Sequence, residues 1–248
     1  MLRINEFRRE FDKEVADRKI SWEIAGFLSF DNNIYSIGTD TKVISTVFET
    51  LAAPLIKDIA EKHGYDVSGS KQTVYPDFTL TPKGKASNRI AIDIKTTYQE
   101  SAHDSIGFTL GSYTSFLRNG TKNICYPYSE YCSHWIIGFV YIRRLGVQSK
   151  VYARSSNFDG IVCPYSDVRY FVQDKYKIAG LRPGSGNTTN IGSIVTPDIN
   201  QFVQDKGPFA RYGEDVFVAY WRQYSADRAT HYTSVERFVA DQGKNAKA

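Results

Sequence analysis

Two aspartates and a lysine are the residues of this chain whose types and spacing point to chemistry. Asp93 and Lys95 lie two apart in RIAIDIKTTY, and Asp77 directly follows Pro76 in YPDFTL. Side chains on a β-strand alternate between faces, so Ile90, Ile92 and Ile94 fall on one side and Ala91, Asp93 and Lys95 on the other. The isoleucines are core material. Like carboxylates brought together raise each other's pKa and are costly to bury unless a cation lies between them. A hard divalent cation such as Mg²⁺ accepts one or two carboxylates together with substrate phosphate. A lysine beside it places positive charge where a phosphoryl transition state gathers negative charge. The same spacing also fits a solvated strand face carrying a weak surface ion pair.

A hairpin is needed to bring these groups together. Residues 75–80 form a short β-type run, residues 89–98 a longer one, and TPKGKASN between them is turn material rich in Pro, Gly, Ser and Asn. Folding back on itself, this stretch carries Asp77 towards Asp93 and Lys95.

The elements around the hairpin follow from periodicity. Ile4, Phe7, Phe11 and Val15 recur at helical spacing and predict a helix over residues 3–18. Residues 24–30 and 34–37 predict a hairpin joined through Asp31, Asn32 and Asn33. Residues 40–63 predict the longest helix, capped by Asp40 or Thr41, followed by Gly64, and kinked or divided at Pro54. Its stripe is Val43, Val47, Phe48, Leu51, Leu55 and Ile59, and Glu49 points away from it. Further β-type or buried segments are expected at 107–116, 124–126 and 134–142, and a strand at 170–178. His134, flanking an apolar run, reads as a core residue. A helix is expected over 214–224 and a last turn over 235–239, with the tail disordered from about residue 241.

Composition limits the function classes. The chain has 248 residues, 42% of them apolar, and a formal net charge of +4, which permits a nucleic-acid partner without demanding one. No run of about 18 apolar residues suggests a membrane span. The charged start, MLRINEFRREFDKEV, has no apolar core of a secretory signal. Cys125, Cys132 and Cys163 are odd in number and lack zinc spacing, so they read as reduced cytosolic thiols. No composition break marks a second domain, and the expectation is one domain over 1–248.

Several segments carry groups suited to nucleic acid. Lys71, Gln72 and Thr73, in SGSKQTV, can donate to phosphates or bases. Thr114, Ser115 and Lys122 can hold phosphates, and Arg222 and Arg228 can reach them. The run Gly184, Ser185, Gly186, Asn187, Thr188, Thr189, Asn190 has the composition of a flexible turn. It is no Walker loop, since no Gly-Lys-Ser/Thr follows. Its glycines permit close backbone approach to base edges, and Asn can bond adenine bidentately in the major groove.

Asp77 and Asp93-Ile94-Lys95 resemble the signature of the PD-(D/E)xK nucleases. The similarity to the EcoRV-type restriction endonucleases extends through GTDTKVIST, PLIKDIAEKHGY, YPDFTL, IAIDIKTTY, YTSF, TKNI, HWIIG and GSGNTTNIGSI, in order, from about residue 38 to 194. The resemblance implies an α/β restriction-endonuclease-like fold, a central mixed β-sheet with flanking helices. It implies Mg²⁺, with Mn²⁺ substituting, held by Asp77, Asp93 and the Ile94 carbonyl, and Lys95 acting on the attacking water or the phosphorane-like charge. It places Glu49 towards the catalytic centre as an accessory acid. It assigns the hairpin and helix over about 19–65 to a homodimer contact. It makes about 68–74 a minor-groove loop, shorter here by one residue and with a single glutamine, and about 182–190 a major-groove loop. Thr96, Thr97 and Tyr98 fall among its DNA-contacting positions. The expected substrate is double-stranded DNA at a palindrome, GATATC cut to blunt ends with 5′-phosphate and 3′-hydroxyl. The setting is a bacterial cytoplasm with a cognate DNA methyltransferase in the same system. A repair or junction nuclease of the same fold, and a non-catalytic sequence-specific DNA-binding protein, are the alternatives.

Overall fold

The computed structural model describes residues 1–71, 73–153, 160–184, 189–225 and 232–245. Helix α1 (Ile4–Asp17) buries Phe7 and Phe11, one helical turn apart. Strands β1 (Gly26–Leu28) and β2 (Asn33–Ser36) form the expected antiparallel hairpin. Helix α2 (Thr41–Lys62) begins where Asp40 Oδ1 accepts the Lys42 N–H at 2.8 Å, and ends before Gly64, whose φ of +76° suits a glycine. The helix is not divided at Pro54. Its stripe is also turned from the expected one: Ile44, Phe48, Leu55, Ile56 and Ile59 are fully covered, while Val43 and Leu51 are only partly so.

Strands β3 (Tyr65–Gly69), β4 (Phe78–Pro82) and β5 (Arg89–Gln99) follow, and then β6 (Thr109–Ser112), which leads into a tight turn of π-helical type at Tyr113–Leu117. Residues 124–126 form no strand; Ile124 makes a single bridge to Tyr75. Strand β7 (Tyr131–Arg143) is the longest, and β8 (Val151–Ala153) joins β2 at the edge of the small hairpin sheet. Strand β9 (Tyr165–Asp174) stops four residues before the expected end, because Lys175–Ile178 turns into the short helix α3. Strands β10 (Ala179–Pro183) and β11 (Asn190–Ser193) come next, then the short α4 (Asn200–Val203), α5 (Glu214–Gln223) and α6 (Val235–Asn245). The tail expected to be disordered from about 241 is therefore helical through Asn245.

The central sheet has the order β3-β4-β5-β7-β9. Only β5 and β7 run parallel, so the sheet is mixed, and α/β as the sequence implied. Both of its faces are covered. Ile90, Ile92 and Ile94 enter one core with Phe7, Phe11 and the inner face of α2. Ala91 enters a second core with Ile136, Phe116, Phe202 and Trp221. The reading of Asp93 and Lys95 as a solvated strand face is thereby overturned: Asp93 is 3% exposed. A smaller sheet, β10-β11-β6, lies across this second side. No described helix is long and apolar enough to cross a membrane.

Candidate active site

The β4–β5 register pairs Phe78 with Ile92 and Leu80 with Ile90, so Asp77 comes level with Asp93 at the mouth of the hairpin. Asp77 Oδ2 accepts the Ile94 backbone N–H at 2.6 Å. Lys95 Nζ stands 2.7 Å from Asp93 Oδ2 and donates to the Ile94 carbonyl at 3.3 Å. Asp77, Asp93, Lys95 and the Ile94 carbonyl are thus one constellation, as the sequence led us to expect.

Burial pushes the Asp77 carboxyl up to about 7, and the negative charge of Asp93 adds to the rise. Burial acts in the same direction on Asp93, but Lys95 and Lys175 outweigh it and hold that carboxyl below the usual range. Burial disfavours the Lys95 ammonium, yet Asp93 and Asp77 more than compensate, so Lys95 stays charged. The pair behaves as one titrating unit with a single firmly ionised carboxylate near neutrality. Asp93 Oδ2 is enclosed and lies 2.7 Å from the Lys95 ammonium. Two carboxyls side by side, one of which burial and its neighbour's charge keep from ionising, are what a hard divalent cation would relieve, and the donor set is all oxygen. The residues fit such an ion.

The two carboxylates and Lys95 open into a cleft of about 270 Å³ that Thr73, Tyr75, Gly111, Ser112, Ser115 and Asn190 also line. Among the described residues the one tight group of three acidic or imidazole side chains lies elsewhere, at Glu6, Glu10 and His63. The Glu10 carboxylate is already engaged, with Lys62 Nζ 2.8 Å from Oε2 and His63 Nε2 2.9 Å from Oε1.

The family model of restriction endonuclease EcoRV matches residues 18–242. The curated type II restriction enzyme EcoRV of Escherichia coli is 48% identical over 219 residues, covering 88% of each chain. The chain belongs to the EcoRV restriction endonuclease family. It is a type II site-specific deoxyribonuclease, with DNA as its substrate, and neither a junction nuclease nor a non-catalytic regulator.

The other residues expected in an EcoRV-type site separate into those at the cleft and those away from it. Thr73, at a φ of +70°, and Ser115 line it. Ser115 is buried, and its Oγ donates to the Lys122 carbonyl at 2.9 Å, so it fixes the backbone that carries the exposed Lys122 side chain. Thr114 is exposed and its hydroxyl lies 3.1 Å from that of Ser112. Thr96, Thr97 and Tyr98 face a separate groove of about 400 Å³ shared with Thr41, Lys42 and Thr46 of α2. Glu49 is exposed on α2 and does not line the cleft, although its charge acts on both Asp77 and Lys95. Lys71 is exposed. Arg222 is exposed, and its Nε donates to the Leu117 carbonyl at 2.8 Å, tying α5 to the turn at Tyr113–Leu117. Gly184 and Asn190, on either side of residues 185–188, are joined by a hydrogen bond from the Gly184 N–H to the Asn190 carbonyl at 3.0 Å. A Cβ on Gly184 would lie 2.4 Å from Thr109 Cγ2, so any other residue there would have to displace the Thr109 side chain. The Ser112 hydroxyl and the Tyr113 N–H both donate to the Thr189 carbonyl, joining Thr189 to the edge of the cleft. Gln72, Ser185, Gly186, Asn187, Thr188 and Arg228 lie outside the described residues.

Sequence reasoning missed the buried polar group behind the cleft. The Tyr75 hydroxyl meets His134 Nδ1 at 2.7 Å, and His134 Nε2 faces Glu214 Oε1 at 3.8 Å. Burial holds His134 well below its usual pKa, so it is a neutral core imidazole, as expected. Burial also pushes Glu214 up to about 7. Lys175 Nζ sits 3.8 Å over the Tyr75 ring. The sequence signal for Lys175 was a basic residue in an otherwise β-type segment, read there as part of a strand.

Proposed function

We propose that this restriction endonuclease hydrolyses both strands of GATATC at its centre, leaving blunt ends with 5′-phosphate and 3′-hydroxyl. The observation that carries the catalytic part is the convergence of Asp77, Asp93 and Lys95, with the 2.6 Å bond from Ile94 N–H fixing Asp77. In this reading Asp77, Asp93 and the Ile94 carbonyl hold Mg²⁺, with Mn²⁺ as a substitute. The bound ion supplies a Lewis acid and lowers the pKa of its water. Lys95 lies close enough to the pair to orient the attacking water or to stabilise charge developing on the phosphate oxygens. Glu49 contributes through its charge. Thr73, Ser115, Lys122 and the segment from Gly184 to Asn190 contact the duplex. The bases of the central TA step are read through bending, since pyrimidine–purine steps kink easily.

The enzyme acts as a homodimer, because a palindrome is matched by a two-fold axis with one active site per strand. The surface that suits a second copy is an apolar groove of about 460 Å³ between the β1–β2 hairpin and α2, lined by Ile24, Phe27, Val43, Val47 and Leu51. Phe27, Leu28 and Phe30 are exposed on the same hairpin. A contiguous apolar face of this kind is unusual on a monomer surface. The chain functions as one domain in a bacterial cytoplasm, alongside a methyltransferase that protects the same site. Genomic DNA digested with Mg²⁺ and sequenced at its ends is the test. Blunt ends within GATATC are expected; staggered ends or another consensus would refute the specificity.

A further inference from the structure

Lys175 is the first residue of α3, on the side of the central sheet that carries Asp93. Its neighbour Asp174 pairs with Trp135 of β7, and Trp135 pairs with Ile92 of β5. Its side chain runs under Tyr75 and Phe116, with Nζ 3.8 Å and 5.2 Å from their ring centroids. The residue is 2% exposed, and among the described residues no acceptor hydrogen-bonds its Nζ. A Cβ placed on Gly111, which lines the catalytic cleft, would lie 4.0 Å from that nitrogen.

A buried ammonium without a hydrogen bond is costly, and the aromatic faces offset only part of its desolvation. The remainder must come from nearby negative charge. The acidic groups acting on Lys175 are Asp93 first, then Glu214 and Asp77, and Lys95 opposes them. Burial still brings the group down to about 7. In return Lys175 is the second positive charge, after Lys95, that favours the ionised form of Asp93.

We propose that Lys175 is a positioning residue of the catalytic centre, its buried ammonium acting with Lys95 as the counter-charge that holds the Asp77–Asp93 carboxylate pair in place. The proposal rests on reading that pair as the metal-holding group. It assigns to Lys175 no contact with DNA or metal. With Lys175 gone, Lys95, already 2.7 Å from Asp93 Oδ2, would have to hold the pair by itself while also serving the reaction.

The test compares the parent, Lys175→Met and Lys175→Arg as full-length proteins. Methionine preserves the packing against Tyr75 and Phe116 and removes the charge; arginine keeps the charge. Melting is followed without DNA, with and without Ca²⁺. A divalent cation should replace the missing charge, so Ca²⁺ should raise the melting temperature of Lys175→Met by roughly 3 °C or more beyond its effect on the parent, and Lys175→Arg should follow the parent. Single-turnover cleavage with Mg²⁺ should fall about tenfold or more in Lys175→Met, with Ca²⁺-supported DNA affinity retained. An equal Ca²⁺ response in all three proteins, or cleavage by Lys175→Met at the parental rate, overturns the proposal. If Lys175→Met does not fold, the Asp93→Asn/Lys175→Met double variant decides, because the charge it balances is gone. A folded double variant supports the proposal and an unfolded one overturns it. A parent that melts identically with Ca²⁺ and cuts no DNA in Mg²⁺ would instead reject the metal-dependent reading of the site. An equal rise in all three would reject Lys175 alone.

Discussion

Asp77, just before β4, and Asp93, in the neighbouring β5, are driven apart in ionisation by the same environment: burial and the Asp93 charge hold Asp77 up to about 7, while Lys95 and Lys175 keep Asp93 below the usual range. One carboxylate is ready for a cation at any physiological pH, and the other becomes so near neutrality.

Removing either end of the Asp93–Lys95 pair should abolish most cleavage without unfolding the protein. Loss of a charge contact to the transition state typically costs about 10²–10³ in rate. Asp93→Ala and Lys95→Ala are therefore expected to fall by at least that much in single-turnover cleavage, while each stays folded and keeps its oligomeric state. Cleavage by either variant at close to the parental rate would place the active site elsewhere.

The carboxyl pair gives the protein a pH signature in the absence of metal. Asp77 and Glu214 both rise from ordinary carboxylate values to about 7. The folded state therefore holds protons that the unfolded state releases between roughly pH 4 and 7. Their contribution to stability is fully present below the unfolded pKa and is lost as pH rises towards 7. In EDTA, the parent should lose stability over this window more steeply than Asp77→Asn, as measured by urea midpoints. Because Asp77 must give up its proton to bind the cation, the Mg²⁺ concentration needed for half-maximal cleavage should fall as pH rises towards 7. A half-maximal Mg²⁺ concentration that stays constant from pH 6 to 8 would contradict this.

The catalytic hairpin was readable because its information is local. Alternating isoleucines fix which side of β5 enters the α1–α2 core, and the turn residues fix the pairing with β4. Helix α2 was readable for the same reason, from Asp40 at its start and Gly64 at its end. Periodicity could not tell that the second face of β5 is covered as well. That depends on β6, β11 and α5, which come from later parts of the chain. Lys175 was invisible for a related reason. Its meaning comes from Tyr75, Phe116 and Asp93, none of them near it in sequence, and from a strand that gives way to a helical turn after Asp174. The bond from Arg222 Nε to the Leu117 carbonyl is likewise a tertiary contact that the sequence could not show.

Assembly has a direct test in the groove between the hairpin and α2. Val43 and Leu51 are half-covered and line it together with Phe27. Leu51→Asp places an unpaired charge on that face at little cost to the monomer core. Light scattering should give about twice the chain mass for the parent at micromolar concentration. The variant should give the monomer mass and lose concerted cutting of both strands. A parent that is monomeric while cutting both strands together would dispose of the dimer.

Specificity and affinity should separate between Asn187 and Lys122. Asn187 belongs to the segment whose sequence suits base contacts in the major groove, and Gly184 and Asn190, on either side of residues 185–188, are joined by a hydrogen bond. Asn187→Ala should remove a base contact worth about 1–3 kcal/mol, lowering cleavage of GATATC far more than binding to unrelated duplex. Lys122 stands exposed at a backbone position fixed by Ser115. Lys122→Ala should weaken binding to every sequence alike and reduce the slope of log affinity against log salt by about one phosphate contact. The two variants should therefore differ in kind: one changes the ratio of cognate to non-cognate affinity at fixed salt, and the other changes the salt dependence at a fixed ratio. Binding in Ca²⁺ over a salt series, on GATATC and on a duplex altered at one outer base pair, measures both quantities. An Asn187→Ala enzyme that keeps its discrimination, or a Lys122→Ala enzyme that loses it, would mean that base readout and backbone contact have been assigned to the wrong residues.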